Sequence, residues 1–183
     1  MFPLAALHAA VWPFLWVVVW SFDLPFATTS LPGQWHAQEM LVGSFGGALL
    51  GFLTSALPEW TDTQSLSGRP LFLAAGLWGG ARVLGLLAVE NGWLLGLLFD
   101  QAWILFLLIY ALYLSWIKKS TDLLGFILFL SAFAAAAALL RIAMAFEAYD
   151  LSESAIRILG LSLLGLLGLA LARITVPVTN LIL

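Results

Sequence analysis

Six runs of about twenty predominantly apolar residues follow one another through this chain, and a helix of that length matches the hydrocarbon thickness of a bilayer. The runs cover residues 2–22, 37–57, 70–89, 92–117, 122–147 and 155–176, and the short segments between them carry most of the charges and turn formers. Lipid offers no partner to a backbone N–H or C=O, so each run is expected to be an α-helix. The expected fold is therefore all-α, a single polytopic membrane bundle of six transmembrane helices over residues 1–183. Composition agrees, with 63% hydrophobic and 9% charged residues and a mean hydropathy of +1.06, against roughly 25% charged in a soluble domain. The loops leave no room for a soluble domain.

The first run is long, rich in tryptophan and has no positive segment before it, so it reads as a retained helix rather than a cleaved signal. Arg69, Lys118 and Lys119 lie in loops on one side of the bundle, with Arg173 close by. Asp23, Glu90, Glu147, Asp150 and Glu153 lie on the other, where Arg157 is the nearby cation. The excess of cations in cytoplasmic loops then places both termini in the cytoplasm. Seven scattered cations and a net charge of −3 form no basic patch, which excludes nucleic acid as a partner. With no cysteine there is no disulfide, thiolate site or Cys nucleophile. The chain also lacks a phosphate-binding loop, a nucleophile elbow and a paired-histidine zinc motif. Pro13 is the one strong interruption of a helix, too little for a transporter with broken helices at the midplane.

Glycine and charge placement narrow the interior. Gly43, Gly47 and Gly51 recur every four residues and are expected to line a close helix contact, with similar contacts at Gly76, Gly79, Gly80, Gly160, Gly165 and Gly168. An ionisable group in hydrocarbon costs on the order of 3 kcal/mol, so each should face a partner or a polar cavity. Counting along alternating helices puts Glu39 just beneath the outer surface, with Arg82, Asp100 and Arg141 also in the outer half. Arg82 and Asp100 reach similar depth on consecutive helices and are the expected ion pair, either as a clamp or as the wall of a cofactor or proton-accessible cavity.

Two histidines remain. His8 lies among Ala5, Ala6, Ala9 and Ala10, where small neighbours suit either a flat macrocycle or a helix crossing. His36, Glu39 and Met40 stand at i, i+3 and i+4, on one face of an α-helix, and can ligate copper or an axial haem position. The same count sets His8 and His36 in opposite halves of the membrane, too far apart to share an ion.

The stretch Trp35 to Thr61, WHAQEMLVGSFGGALLGFLTSALPEWT, resembles the signature region of the NnrS family of bacterial membrane proteins, W-H-x-H-E-M followed by G-F-L-x-T-A-x-P-x-W-T. Gly68-Arg69-Pro70-Leu71, Leu77 to Arg82 and Ala172 to Asn180 follow in the family's order, covering its first half. Gln38 stands where the pattern often has a second histidine, and family members run to about twice this length. The resemblance implies a haem- and copper-containing protein of nitric oxide metabolism or membrane electron transfer, in the bacterial inner membrane. Carried over, His36, Glu39 and Met40 are candidate metal ligands. His36 or His8 is the candidate axial ligand of haem b, with Arg82 or Arg141 against its propionates. The other reading is a non-catalytic accessory subunit in a larger membrane enzyme. Trp12, Trp16, Trp20, Phe14, Phe22 and the last helix would then face lipid, partner subunits or further copies. Whether the chain is itself an enzyme is left open.

Overall fold

The computed structural model describes residues 2–22, 31–86 and 92–182, and among these every regular element is a helix. The elements are α1 (Phe2–Ser21), α2 (Pro32–Gln38), a π-helical segment (Glu39–Phe45), α3 (Gly46–Trp60), α4 (Arg69–Leu86), α5 (Gly92–Lys118), α6 (Leu124–Ala145) and α7 (Tyr149–Ile182). α2, the π segment and α3 run on without a break from Pro32 to Trp60 and form one central rod.

All six expected runs are helical over most of their described residues, with 87–89 of the third outside them, and their boundaries move. The second starts at Pro32 rather than at residue 37, because proline at the first helical position loses no intrahelical bond. The sixth starts at Tyr149, so the expected loop from Asp150 to Ser154 is helix. The expected turn at Glu90-Asn91, and Asp23, lie outside the described residues. Four helices are long and apolar enough to cross a membrane: Pro32–Trp60, Gly92–Lys118, Leu124–Ala145 and Tyr149–Thr175, with a shorter apolar helix at Phe2–Val18. α4 carries two arginines and four glycines in 18 residues, which lowers its hydropathy.

Consecutive helices α4, α5, α6 and α7 pack side by side, while the central rod meets α1, α4 and α5 and touches α7 mainly through α2 and the π segment. Trp103, Phe126, Phe133, Leu50, Leu53 and Ile104 fill the core. Phe72, Trp116, Leu128 and Leu161 stand exposed on the outside, as a lipid-facing surface requires. Phe14 and Phe22 share that outward face, whereas Trp12 and Trp16, expected there too, turn inward against the core.

The glycine expectation holds in part. A Cβ at Gly47 would sit 2.8 Å from the Trp78 ring, and one at Gly80 would sit 2.7 Å from Phe99. At Gly76, Gly79, Gly160 and Gly168 a Cβ would meet nothing within 4 Å, so these four mark no helix contact.

Candidate functional site

The charges inside the bundle converge on one carboxylate. Asp100 on α5 is fully buried and accepts five N–H groups. Its Oδ1 takes Arg82 Nη2 and, at 3.3 Å, Trp103 Nε1. Oδ2 takes Gln38 Nε2 at 3.1 Å, Arg141 Nε at 3.1 Å and Arg141 Nη2 at 2.8 Å. The ion pair expected between Arg82 and Asp100 is present, with Arg141 as a second cation. Arg82 bridges onward, donating from Nη1 to Glu39 Oε1 at 2.9 Å.

Glu39 lies deeper than its expected place beneath the outer surface, and His8 joins it. Trp16 Nε1 donates to the Pro32 carbonyl at 3.3 Å, which fixes α1 against the start of the central rod. From that level His8 is about 12 Å down α1, while Glu39 and Ser44 are about 10 and 18 Å down the rod, at 1.5 Å per residue. His8 therefore meets this pair: Nδ1 is 2.9 Å from Ser44 Oγ and Nε2 is 3.4 Å from Glu39 Oε2. The count that set His8 and His36 in opposite halves began the second helix at residue 37 rather than at Pro32.

The π segment makes that meeting possible. Residues five apart in an α-helix differ by about 140° in direction, whereas a π turn bonds i to i+5 and stacks them. Glu39 and Ser44 begin and end such a turn and both reach the same imidazole. Gly43 between them supplies the clearance, since a Cβ there would lie 2.7 Å from His8 Cε1 and 3.1 Å from Arg82 Nη1. Gly96 does the same for Arg141, whose Cζ is 2.9 Å from the position of a Cβ. Trp78 Nε1 donates to the Gly43 carbonyl at 3.0 Å and closes the far side.

Two carboxylates, Glu39 and Asp100, face two guanidiniums, Arg82 and Arg141, so the network is neutral with His8 uncharged. Among its side-chain atoms, His8 Nε2, Glu39 Oε2, Gln38 Oε1 and Arg82 Nε are buried without a hydrogen bond. The first two point at each other.

Of the residues proposed from sequence, His8, Glu39, Arg82 and Arg141 come together. His36 stands apart, half-buried with its ring 5.0 Å from that of Trp16, and Met40 is also half-buried. Gln38, Ser44, Trp78 and Trp103 complete the network without having been singled out as site residues. Trp103, one helical turn after Asp100, was the legible signal among them.

The cluster is not a haem pocket as folded. Of the two His8 nitrogens that could ligate iron, Nδ1 is on Ser44 Oγ at 2.9 Å and Nε2 faces Glu39 Oε2 at 3.4 Å, too close for a haem to stand between them. Arg82 and Arg141, expected at the propionates, are held by Asp100 and Glu39. Among the described residues no three His, Cys, Asp or Glu side chains are grouped to hold a metal ion.

An all-helical membrane protein whose interior holds a charge-balanced network between α1, the central rod, α4, α5 and α6 is the class defined by this fold and site. Within that class the chain belongs to the NnrS family, whose model, described as NnrS protein, matches residues 1–183. Searches of curated proteins and of solved structures return no match.

Proposed function

We propose that this chain is an NnrS-type component of nitric oxide metabolism in the bacterial inner membrane, and that the facing atoms His8 Nε2 and Glu39 Oε2 are its working centre. In this reading all six helical rods cross the bilayer and both termini are cytoplasmic. One observation carries it: the two atoms are buried, 3.4 Å apart and without another partner, beside an Asp100 whose every acceptor is used. Unmet polar groups in hydrocarbon are costly, and these two, an imidazole nitrogen and a carboxylate oxygen facing each other, are where a ligand, a water or a transferred proton would meet both at once.

The residues divide the work. Ser44 Oγ at His8 Nδ1 fixes the orientation of the ring, so that Nε2 faces Glu39. Arg82 holds Glu39 through the opposite oxygen, and Asp100 pairs with Arg82 from behind while also taking Arg141. Trp12 and Trp78 exclude lipid and water from the imidazole faces. His36, half-buried and outside the cluster, is the proposed ligand of haem b or copper.

The test combines survival of cells under nitric oxide with an absorption spectrum and metal analysis of the purified protein. His8→Ala and Glu39→Gln are expected to lower protection at least about tenfold, a loss of roughly 1.4 kcal/mol at the working step. His36→Ala is expected to remove a Soret band or bound copper. Full protection by folded His8→Ala overturns the assignment of the centre. A colourless, metal-free preparation that co-purifies with other subunits supports the accessory-subunit reading instead.

A further inference from the structure

Beyond the polar centre, the bundle contains an apolar cavity of about 490 Å³ between the central rod and α7. The two rods are tied near their starts, where Gln34 Nε2 donates to Ser152 Oγ at 2.5 Å, and they separate below that point. Leu41, Phe45 and Phe52 line one wall and Gly160, Leu164 and Leu167 the other, with no ionisable side chain in the lining. Water has no polar partner there, and an unfilled gap of this size would forfeit dispersion contacts along both helices. Both walls belong to helices long and apolar enough to span the membrane, so the cavity opens on lipid.

The charge at one end selects the occupant. From Gly160 the lining runs down α7 to Ile174, about 20 Å at the helical rise, which is about half the 40–45 Å thickness of a bilayer with its headgroup regions and so matches one phospholipid in one leaflet. Arg173 stands beside that lower end. Phe52 of the cavity wall packs edge-on against Trp60 at 5.7 Å, and the Arg173 guanidinium lies 5.3 Å above the Trp60 ring. Arg173 Nη1 donates to the Asp122 carbonyl at 3.2 Å and Nη2 is 3.6 Å from its carboxylate. Asp122 is 65% exposed, so water screens this ion pair and it leaves the guanidinium able to bind a second anion. Arg69, Lys118 and Lys119 are exposed at the same end of the bundle, against Glu59, Asp62 and Asp122. Among described residues the opposite end carries Glu147, Asp150 and Glu153 against Arg157.

We infer that this cavity is a binding site for one anionic phospholipid, its acyl chain between the central rod and α7 and its phosphate at Arg173. The tail supplies the contacts that the two helices do not make with each other, and the guanidinium selects the headgroup.

The protein is equilibrated in mixed phosphatidylglycerol and phosphatidylcholine vesicles, extracted in mild detergent and weighed intact by native mass spectrometry. One phosphatidylglycerol is expected to stay on each chain. A Cβ at Gly160 meets nothing within 4 Å, so Gly160→Trp fills the cavity without moving backbone and is expected to abolish retention. Gly168→Trp places the same bulk at an equally open glycine outside the lining and is expected to retain the lipid. Arg173→Gln is expected to reduce the preference for phosphatidylglycerol about fivefold, and Arg173→Lys to keep it. Retention unchanged in Gly160→Trp, equal retention of phosphatidylcholine by the native chain, or a neutral isoprenoid found in its place overturns the inference. Melting temperatures of the four variants separate a lost lipid from a lost fold.

Discussion

At the scale of single residues, Asp100 holds the interior together, because it is the shared partner of two buried guanidiniums, one of which, Arg82, also reaches Glu39. Removing one member of a buried ion pair leaves the other charge uncompensated, at about 3–5 kcal/mol. Asp100→Asn is therefore expected to destabilise by that amount in equilibrium unfolding from mixed micelles. Glu153→Ala, which breaks the exposed pair with Arg157, is expected to cost less than about 0.5 kcal/mol. Equal effects from the two substitutions count against the network as a source of stability. Glycines give a second contrast. Gly43→Ala drives a methyl into His8 and Arg82 and is expected to cost about 1–3 kcal/mol, while Gly79→Ala meets open space and gains up to about 1 kcal/mol of helix propensity. Thermal midpoints in one detergent read both. The Arg82 to Asp100 pair was legible in the sequence, since two charges at matching depth on consecutive helices have few other partners. His8 was not: its partner depended on where the second helix begins, and a proline start is a matter of a few residues that hydropathy does not resolve.

At the scale of elements, the π segment decides which side chains face inward. The spacing of His36, Glu39 and Met40 places them on one face only if the helix is regular, and Glu39 is the first residue of the irregular stretch. From there Glu39 serves Arg82 and His8, while His36 packs on Trp16. A π turn is equivalent to one residue inserted into an α-helix, so deleting Leu41 is expected to restore regular helix and rotate Gln38 and Glu39 by about 100° relative to α3. Far-UV helicity should be unchanged while the thermal midpoint falls as far as in Asp100→Asn. A deletion variant as stable as the native chain argues against the segment as the device that aims Glu39. No residue pattern announces this irregularity, because GSFGG is compatible with either helix and the choice follows from what Glu39 and Ser44 gain by reaching one imidazole.

At the scale of the whole molecule, the proposed six-span bundle puts the loop at residues 61–68 and the loop at 119–123 on one side of the membrane, and the turn at 146–148 on the other. The absence of cysteine allows this to be read cleanly. Ser65→Cys and Ser120→Cys are expected to react with a membrane-impermeant maleimide only from the cytoplasmic side, and Ser154→Cys only from outside. Labelling of Ser65→Cys and Ser154→Cys from the same side contradicts a six-span bundle. Apolar, membrane-spanning helices are written in composition, whereas the gap between the central rod and α7 is not. The leucines of α7 read the same whether they meet a neighbouring helix or lipid, and only the divergence of the rods below Gln34 and Ser152 leaves some of them lining a cavity.

The sequence alone determined that this chain is helical and lives in lipid, and it identified the charged residues that must find one another there, because transfer of apolar side chains and backbone polar groups into hydrocarbon is a local cost summed along the chain. Tertiary structure decided the partners. Whether His8 meets Glu39 and whether four charges and an imidazole share one neutral network depend on the register of helices packed against each other. Register is set by contacts such as Trp16 on the Pro32 carbonyl and by the clearance at Gly43, which belong to pairs of residues far apart in the chain.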